Sequence, residues 1–544
     1  MPPPPEWDVV VVGAGTSGAP LAARLADAGR RVLVLEAGAD HARPEDFPPV
    51  LRDAAAMGAA VPGHPANWDL SGILTEEVTF PVPRGRVVGG SSALNGGYFI
   101  RGTRADFDGW AAAGNDLWSA DRVLPSFVRL ESDREYGDRP GHGSAGPVPV
   151  RRPQEGHPLA DAFAAATGDL GFPAEPDKNA DGAPGYGPVP LNVADGVRAN
   201  TAMAYLSPRR GHRGLTVRGG VHARRVVVEA GRAVGVQTDD GVVRAAEVVL
   251  SAGAVGSPQL LLLSGIGPAD DLRALGIDVV ADVPGVGSEF TDHPDLYVTY
   301  RPARRLPMPR DLHPLHGVLH TTSDGGGTPG DLEVMPWLKP FSRVMLDRSA
   351  GSRLAGVTDV LRRPADTVRA LRGASLHRLV DTARRRDDLF LGVALQAEDS
   401  RGRLSLTSAD PRVQPRIEYR YLTEASDRRR MREVVRLAAE LLRAPSLAPL
   451  VAERTGLPDD VLTDDRQLDR WVRRHLATAV HLAGTARMGP AGDPGAVVDQ
   501  HLRVRGVEGL RVVDTSVMPW VTTRGPAATA VMIGERAAEL MTGA

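Results

Sequence analysis

The sequence predicts an α/β chain (α+β overall), with a Rossmann-like dinucleotide-binding domain joined to a second, substrate-binding domain built on an antiparallel sheet. Three observations predict it: an opening β-α-β unit that carries a glycine turn, a closing strand-and-helix unit, and a middle that changes composition between loop-rich stretches. A chain of 544 residues, 42% of them hydrophobic, also exceeds what one core usually serves.

In chain order, residues 8–12 are a buried-type apolar run, 16–28 read as a helix and 31–35 as a second apolar run. Short β-rich segments follow at 216–230, 233–238 and 246–250, and 253–263 has the look of a strand passing into a helix. Residues 510–513 read as a strand and 526–540 as a helix opened by Pro526, a favoured first helical residue. Residues 137–147 and 178–187, rich in Gly, Pro and Asp, read as loops that cross into the second domain. For that domain's sheet the sequence offers strands at 333–337, 390–398 and 403–406, with helical spacing over 425–442. The expected division is 1–150, 196–297 and 475–544 for the nucleotide domain, and 151–195 and 298–474 for the substrate domain.

Composition excludes several classes of function. With 64 basic against 67 acidic residues the net charge is −3, which gives no nucleic-acid surface. Cysteine is absent, so disulfides, thiolate metal sites and a cysteine nucleophile are excluded, and no metal site is expected. Redox chemistry must come from a cofactor. No apolar run is long enough to span a membrane and no export signal precedes the first strand, so the expected location is cytoplasmic. The Arg-rich residues 342–388 read as solvated faces of amphipathic helices, with a weak, peripheral contact at the inner membrane face as the lesser reading.

Gly13, Gly15 and Gly18 form a GxGxxG turn between the first strand and the first helix. The first glycine permits the tight turn, the second lets a pyrophosphate approach the backbone, and the third lets helix and sheet pack closely. Thr16 and Ser17 complete the turn at a helix N-terminus, whose free N–H groups and dipole favour phosphate. Glu36, followed by Ala37, ends the second strand where a carboxylate can bind ribose hydroxyls and repel a 2′-phosphate. The motif does not separate NAD from FAD.

Residues 85–102 run Gly-Arg-Val-Val-Gly-Gly-Ser-Ser-Ala-Leu-Asn-Gly-Gly-Tyr-Phe-Ile-Arg-Gly, and Ser257, Pro258, Leu260, Leu261, Ser264, Gly265, Ile266 and Gly267 follow Gly253 at fixed spacing. These two segments resemble the two signatures of the glucose-methanol-choline (GMC) oxidoreductases, and 401–417, 481–489 and 510–519 extend the likeness over nearly the whole chain. The resemblance implies FAD, held by the first turn and by Arg86, Val88, Gly90 and Ser91, a flexible loop rich in hydrogen-bond donors. It further implies Asn95 and Gly96 beside the reactive edge of the flavin and Val221 at the adenine. By the same likeness Ala252 and Gly253 lie near the adenosine half, Asp514 and Thr515 near the ribityl chain, and Pro526 and Ala527 at a helix N-terminus facing the pyrimidine edge. Some members bond flavin through a His in this loop. Leu94 takes that position here, so the implied FAD is non-covalent.

Alcohol oxidation needs a base for the hydroxyl proton, and a near-neutral imidazole suits it. His481 stands in His-Leu-Ala-Gly-Thr-Ala-Arg-Met-Gly, which resembles the family segment that carries the catalytic His. The family's second His or Asn is replaced by Gly525, which suggests an opened site with room for a larger substrate, or for Arg524, or a hydroxyl of Thr522 or Thr523, to substitute. An Arg there would stabilise negative charge; a surface salt bridge is the alternative for Arg524. The function read from this is oxidation of a small alcohol or a redox-cofactor substrate, with electrons leaving to a carrier or quinone. Behind it come an oxygen-using oxidase and an FAD-containing lyase of the hydroxynitrile type. The scarcity of Lys beside Arg suggests a bacterial chain of high genomic GC, and the missing partner at 525 resembles the mycofactocin-associated branch, in which reduced mycofactocin would be the donor.

Overall fold

The computed structural model describes residues 6–153, 156–325, 327–345 and 387–543. Trp7–Val12, Val32–Leu35, Leu215–Arg218, Gly241–Leu250 and Leu510–Val512 form the parallel part of one sheet. Trp7–Val12 and Val32–Leu35 are short, largely apolar, buried runs, as strands covered on both faces require. Gly241–Leu250 is long enough to do two things: its start pairs antiparallel with Arg232–Thr238, which in turn pairs with Ala223–Glu229, while its end joins the parallel ladder. The expected β segment at 216–230 is therefore two strands of different pairing, interrupted at Gly219 and Gly220.

Register sets where a ligand can lie. Val12 sits level with Leu35 and with Leu250, and Leu250 with Val512, so the carboxyl ends of the central strands finish together at Gly13, Glu36, Ser251 and Val513. A crevice at the carboxyl ends of such a sheet is the place for a nucleotide. The first helix, Gly18–Asp27, and the last, Ala527–Thr542, start near this edge and pack on each other. Ser17 Oγ donates to the carbonyl of Ala530 at 2.6 Å, and a Cβ on Gly534 would lie 2.3 Å from the carbonyl of Ser17. Buried Glu535 locks the pair, accepting from Arg24, Arg129 and Tyr205.

A second sheet is antiparallel throughout, in the order Val451–Thr455, Pro294–Pro302, Leu389–Leu395, Leu332–Trp337, Gly317–Thr321, Tyr186–Pro188, with Ala477–Thr478 also on Pro294–Pro302. Pro294–Pro302 straddles the expected domain boundary at 297/298. The expected strand at 403–406 is not in this sheet. Arg403–Ser405 pairs with Arg416–Glu418 in a four-stranded sheet completed by Leu70–Thr75 and Val78–Val82. The amides of Gly402 and Leu404 donate to the carbonyls of Phe290 and Gly287, and this draws the chain away from the larger sheet. The last helix begins at Ala527, with Pro526 as its N-cap, one residue later than the sequence suggests.

Among the described residues no helix is long and apolar enough to cross a membrane. Most of the Arg-rich stretch, residues 346–386, lies outside the described residues, and with it the expectation of a membrane contact.

Candidate active site

Two glycine loops meet at the carboxyl edge of the parallel sheet. Gly13 has φ +105°, and a Cβ there would fall 2.3 Å from the carbonyl oxygen of Ser251; one on Gly18 would fall 2.1 Å from the carbonyl of Gly13. Gly90, at φ +53°, would place a Cβ 2.7 Å from Cα of Gly15. Only glycine allows this contact. The amide of Gly89 donates to the carbonyl of Ala14, the hydroxyl of Thr201 to that of Gly15, and the amide of Gly85 to Ser91 Oγ, so the two loops are one surface. A backbone cradle of this kind, bare of Cβ atoms and set at a helix N-terminus, suits a pyrophosphate.

Glu36 closes the cradle. Its oxygens accept from the amides of Ala14 (3.1 Å) and Gly38 (2.8 Å), and burial, only partly offset by these bonds, pushes its carboxyl up to about 7. The amide of Val221 donates to the carbonyl of Glu36, which puts Val221 at the same corner, and the amide of Val88 donates to the carbonyl of Ala39, two residues beyond Ala37. Arg86 lies over the ring of Trp68, with its own carbonyl packed against Gly38. The structure thus gathers Gly13, Gly15, Thr16, Gly18, Glu36, Ala37, Arg86, Val88, Gly90, Ser91 and Val221 around one edge. Two of the expected side chains also bond within the protein. The Ser17 hydroxyl is committed to Ala530, and the Asp514 carboxylate accepts from Gly253 N, Ser257 Oγ and Ser516 N, capping two helical turns near Ala252 and Thr515.

From the glycine loop the chain runs through buried Leu94 and half-buried Asn95, whose Oδ1 accepts from the amide of Gly97, to Tyr98. Gly96 packs against Leu315 and Met57 of neighbouring segments. Buried Arg198 donates to the carbonyls of Leu51, Asp53, Ala56 and Ala93 and so holds the base of this segment.

His481 and Tyr98 both lie beside Gly525. Val480, just before His481, has φ +64°, a costly conformation for a β-branched residue that persists only when its surroundings impose it. Here Thr478 Oγ1 accepts from the amide of Val480 and Arg84 donates to its carbonyl. Asp292 Oδ1 accepts from the amides of both His293 and His481, each at 2.7 Å. The two imidazoles then meet edge to face, Nδ1 to Nδ1, at 2.9 Å. Burial, aided by the charge of Arg84, takes His481 down to about 3, below the near-neutral value expected of a base. The ring is unprotonated across the physiological range, but on its own it is a poor proton acceptor.

The opened site expected at Gly525 is not there. Tyr98 fills it: a Cβ on Gly525 would meet Cδ1 and Cε1 of Tyr98 at 3.1 and 3.2 Å and Cε1 of His481 at 3.4 Å. The phenol donates to Glu333 (3.2 Å), Glu333 also contacts His320 Nε2 (3.0 Å), and His320 Nδ1 contacts Lys178 (3.1 Å). Lys178 continues the buried chain to Glu175. Arg524 belongs to this interior, not to a surface salt bridge. It is 2% exposed, donates to the carbonyls of Gly330 (3.2 Å) and Thr523 (2.7 Å), and has no ion pair among the described residues. The hydroxyls of Thr522 and Thr523 are taken by the Arg524 carbonyl and by Asp106.

Sequence reasoning missed His293, Tyr98, Glu333, His320 and Lys178. Tyr98 lies inside the first signature, and His293 follows an acidic residue at the start of a strand; no local pattern joins either to His481, which is 188 residues from His293 and farther still from Tyr98.

Glycine loops at the carboxyl edge of a Rossmann-like parallel sheet define the class: a dinucleotide-binding protein. Residues 8–295 match the family model of the N-terminal part of GMC oxidoreductases and 398–534 that of the C-terminal part. The chain is 38% identical over 98% of both chains to an uncharacterized GMC-type oxidoreductase in the thcA 5′ region of Rhodococcus erythropolis. It is 32% identical to the oxygen-dependent choline dehydrogenase of Brucella canis, over 99% of this chain and 96% of that one. Pyridoxine 4-oxidase from Mesorbium loti superposes with a TM-score of 0.83 at 29% identity, covering 98% of this chain and 99% of the other. The chain belongs to the GMC oxidoreductases, an FAD-dependent family of enzymes.

Proposed function

We propose that the protein oxidises the alcohol group of a small molecule, with His481 as the base that takes the hydroxyl proton. The observation that carries this is the placement of His481: strained backbone, Asp292 and Arg84 together hold one imidazole beside Gly525 and Tyr98. Two relatives point to the substrate class, since choline and pyridoxine, the compounds in their names, are both alcohols. Bound FAD supplies the acceptor for the two electrons and the hydrogen that leave the carbon. Gly13, Gly15, Gly18 and Gly90 would admit its pyrophosphate and Glu36 its ribose, and Leu94 can form no covalent link, so acid or heat should release the flavin intact. Pro526 and Ala527 start a helix whose positive end favours negative charge on a ligand.

A carrier or quinone as electron acceptor, and reduced mycofactocin as a donor, extend the proposal. The second is supported only by the missing side chain at 525, and Tyr98 occupies that space. The test is anaerobic mixing with a panel of alcohols. Bleaching of the flavin by one of them, slowed about 10²- to 10⁴-fold in His481→Ala with FAD content unchanged, is the expected result. A lyase would leave the flavin oxidised.

A further inference from the structure

We infer that His293 is a positioning residue: it accepts the Nδ1–H of His481 and so fixes the tautomer in which Nε2 of His481 is the free base. The inference rests on the proposal that His481 is that base.

Two nitrogens 2.9 Å apart, each on a neutral ring, can hold one proton between them, and the surroundings of the second ring decide which nitrogen has it. His293 is fully buried. Its Nδ1 faces His481, so its remaining nitrogen, Nε2, is the one turned to the rest of the protein. Burial, with the charges of His481 and Arg524, keeps the ring neutral, no full hydrogen bond reaches Nε2, and the backbone groups of Thr522 and Gln396 that lie against the ring act as acceptors of its one N–H. No donor that would require a bare Nε2 is among them. The proton of His293 is therefore on Nε2, which leaves its Nδ1 as an acceptor. His481 must then carry its own proton on Nδ1, and its Nε2, which has no hydrogen-bond partner among the described residues, is bare. The opposite arrangement would put a proton on Nε2 of His481 and leave it nothing to take from an alcohol.

The pair also answers the weakness of a buried imidazole as an acceptor. When the hydroxyl proton arrives on Nε2 of His481, the O–H bond breaks, an N–H bond forms, and the Nδ1–H to Nδ1 contact becomes a charge-assisted hydrogen bond, which is stronger than a neutral one. No bond to His293 is made or broken. Asp292 keeps the two rings in register by gripping both backbones.

The test combines ¹⁵N-histidine NMR of the FAD-loaded and FAD-free protein with rapid-mixing reduction of His293→Leu and His293→Asn. In the wild type, His481 should be protonated at Nδ1 and bare at Nε2 in both forms. His293→Leu removes the acceptor and should slow flavin reduction about 10²-fold or more, with KM and FAD content nearly unchanged, the pattern of a base with an unfixed tautomer. His293→Asn, whose Oδ1 can accept the same N–H, should recover most of that loss. A His481 protonated at Nε2 in the wild type overturns the inference. So does wild-type reduction by His293→Leu while His481→Ala is slow. If His481→Ala is itself fast, the base assignment fails and this inference with it. Should His293→Leu not fold, the wild-type spectrum and His293→Asn still decide.

Discussion

Gly525 and Tyr98 are in contact by design of the backbone: a methyl group at 525 would lie 3.1 Å from the phenol ring. The missing side chain is thus compensated by one from another segment, and Tyr98 is fixed there by Glu333. Gly525→Ala should cost about 1–3 kcal/mol as an overpacked interior. Gly525→Asn or Gly525→His should cost more, and should slow small and large alcohols alike, because the ring is displaced and not a pocket narrowed. Thermal unfolding of Gly525→Ala, Tyr98→Ala and the double variant checks the contact: the double variant should be more stable than the sum of the single losses. A selective loss of bulky alcohols would restore the idea of an open site.

The contact of Gly90 with Gly15 gives a second expectation. Gly90→Ala combines a left-handed φ of +53° with a Cβ 2.7 Å from backbone, so the two loops must part and the protein should purify without flavin. Gly63→Ala is the control. Its φ is +85° but nothing lies within 4 Å of the added Cβ, so it carries the strain alone and should keep its FAD. Flavin absorbance per chain distinguishes them, and a fully loaded Gly90→Ala would refute the cradle.

Much of the nucleotide half is legible in the sequence because its determinants are local. Gly13, Gly15, Gly18 and Glu36 lie within one β-α-β unit, where turn, helix start and strand end fix one another. The four-stranded sheet is not legible, because Arg403–Ser405 looks like any short strand and its place is set by the distant carbonyls of Phe290 and Gly287. The same holds for the partners of His481. Asp292, His293 and Tyr98 are ordinary residues until the packing of the two sheets brings them together, and the room inferred at Gly525 could not be judged without knowing where Tyr98 goes.

Away from the site, His142 makes a prediction with a definite pH window. Its ring nitrogens contact Glu131, Asp133 and Asp177, while Arg101 and Arg152 pair with the same acids. Burial opposes its charge, but hydrogen bonds to Asp133, Asp177 and Glu131 outweigh this and push it up to about 10. Glu131, Asp133 and His142 have ligand atoms within 4.8 Å of one another, and Arg101 and Arg152 already pair with the two carboxylates. A raised folded pKa means stability that is fully present below the unfolded value near 6.5 and is lost as pH rises through about 10. His142→Gln should therefore lose about 3–5 kcal/mol at neutral pH, the cost of breaking a buried ion pair, and the deficit should shrink between pH 7 and pH 10. Denaturant unfolding across that range measures it; a deficit independent of pH would remove the charge from the explanation.

Arg524 is a buried cation near Tyr98 and Glu333. Burial pushes Glu333 up to about 6, and Arg524 is the first of the groups that hold it down, with Tyr98 and Lys178 behind. Replacing the guanidinium by the apolar Arg524→Met should let the Glu333 carboxyl rise further. The sign follows: a folded pKa above the unfolded one costs stability as pH rises through it, so the variant should fall further behind the wild type between pH 5 and pH 8. Added Glu333→Gln should remove that pH dependence and leave a constant difference. The reaction gives a separate reading. If Arg524 supports the developing negative charge of the alkoxide, Arg524→Met should reduce flavin about 10²- to 10³-fold more slowly, the range for losing such a donor, and Arg524→Lys less so. Rapid mixing at pH 5 and pH 8 tests both parts. Reduction at the wild-type rate at both pH values, together with the expected stability change, would make Arg524 a support for Glu333 and Tyr98 and take it out of the chemistry.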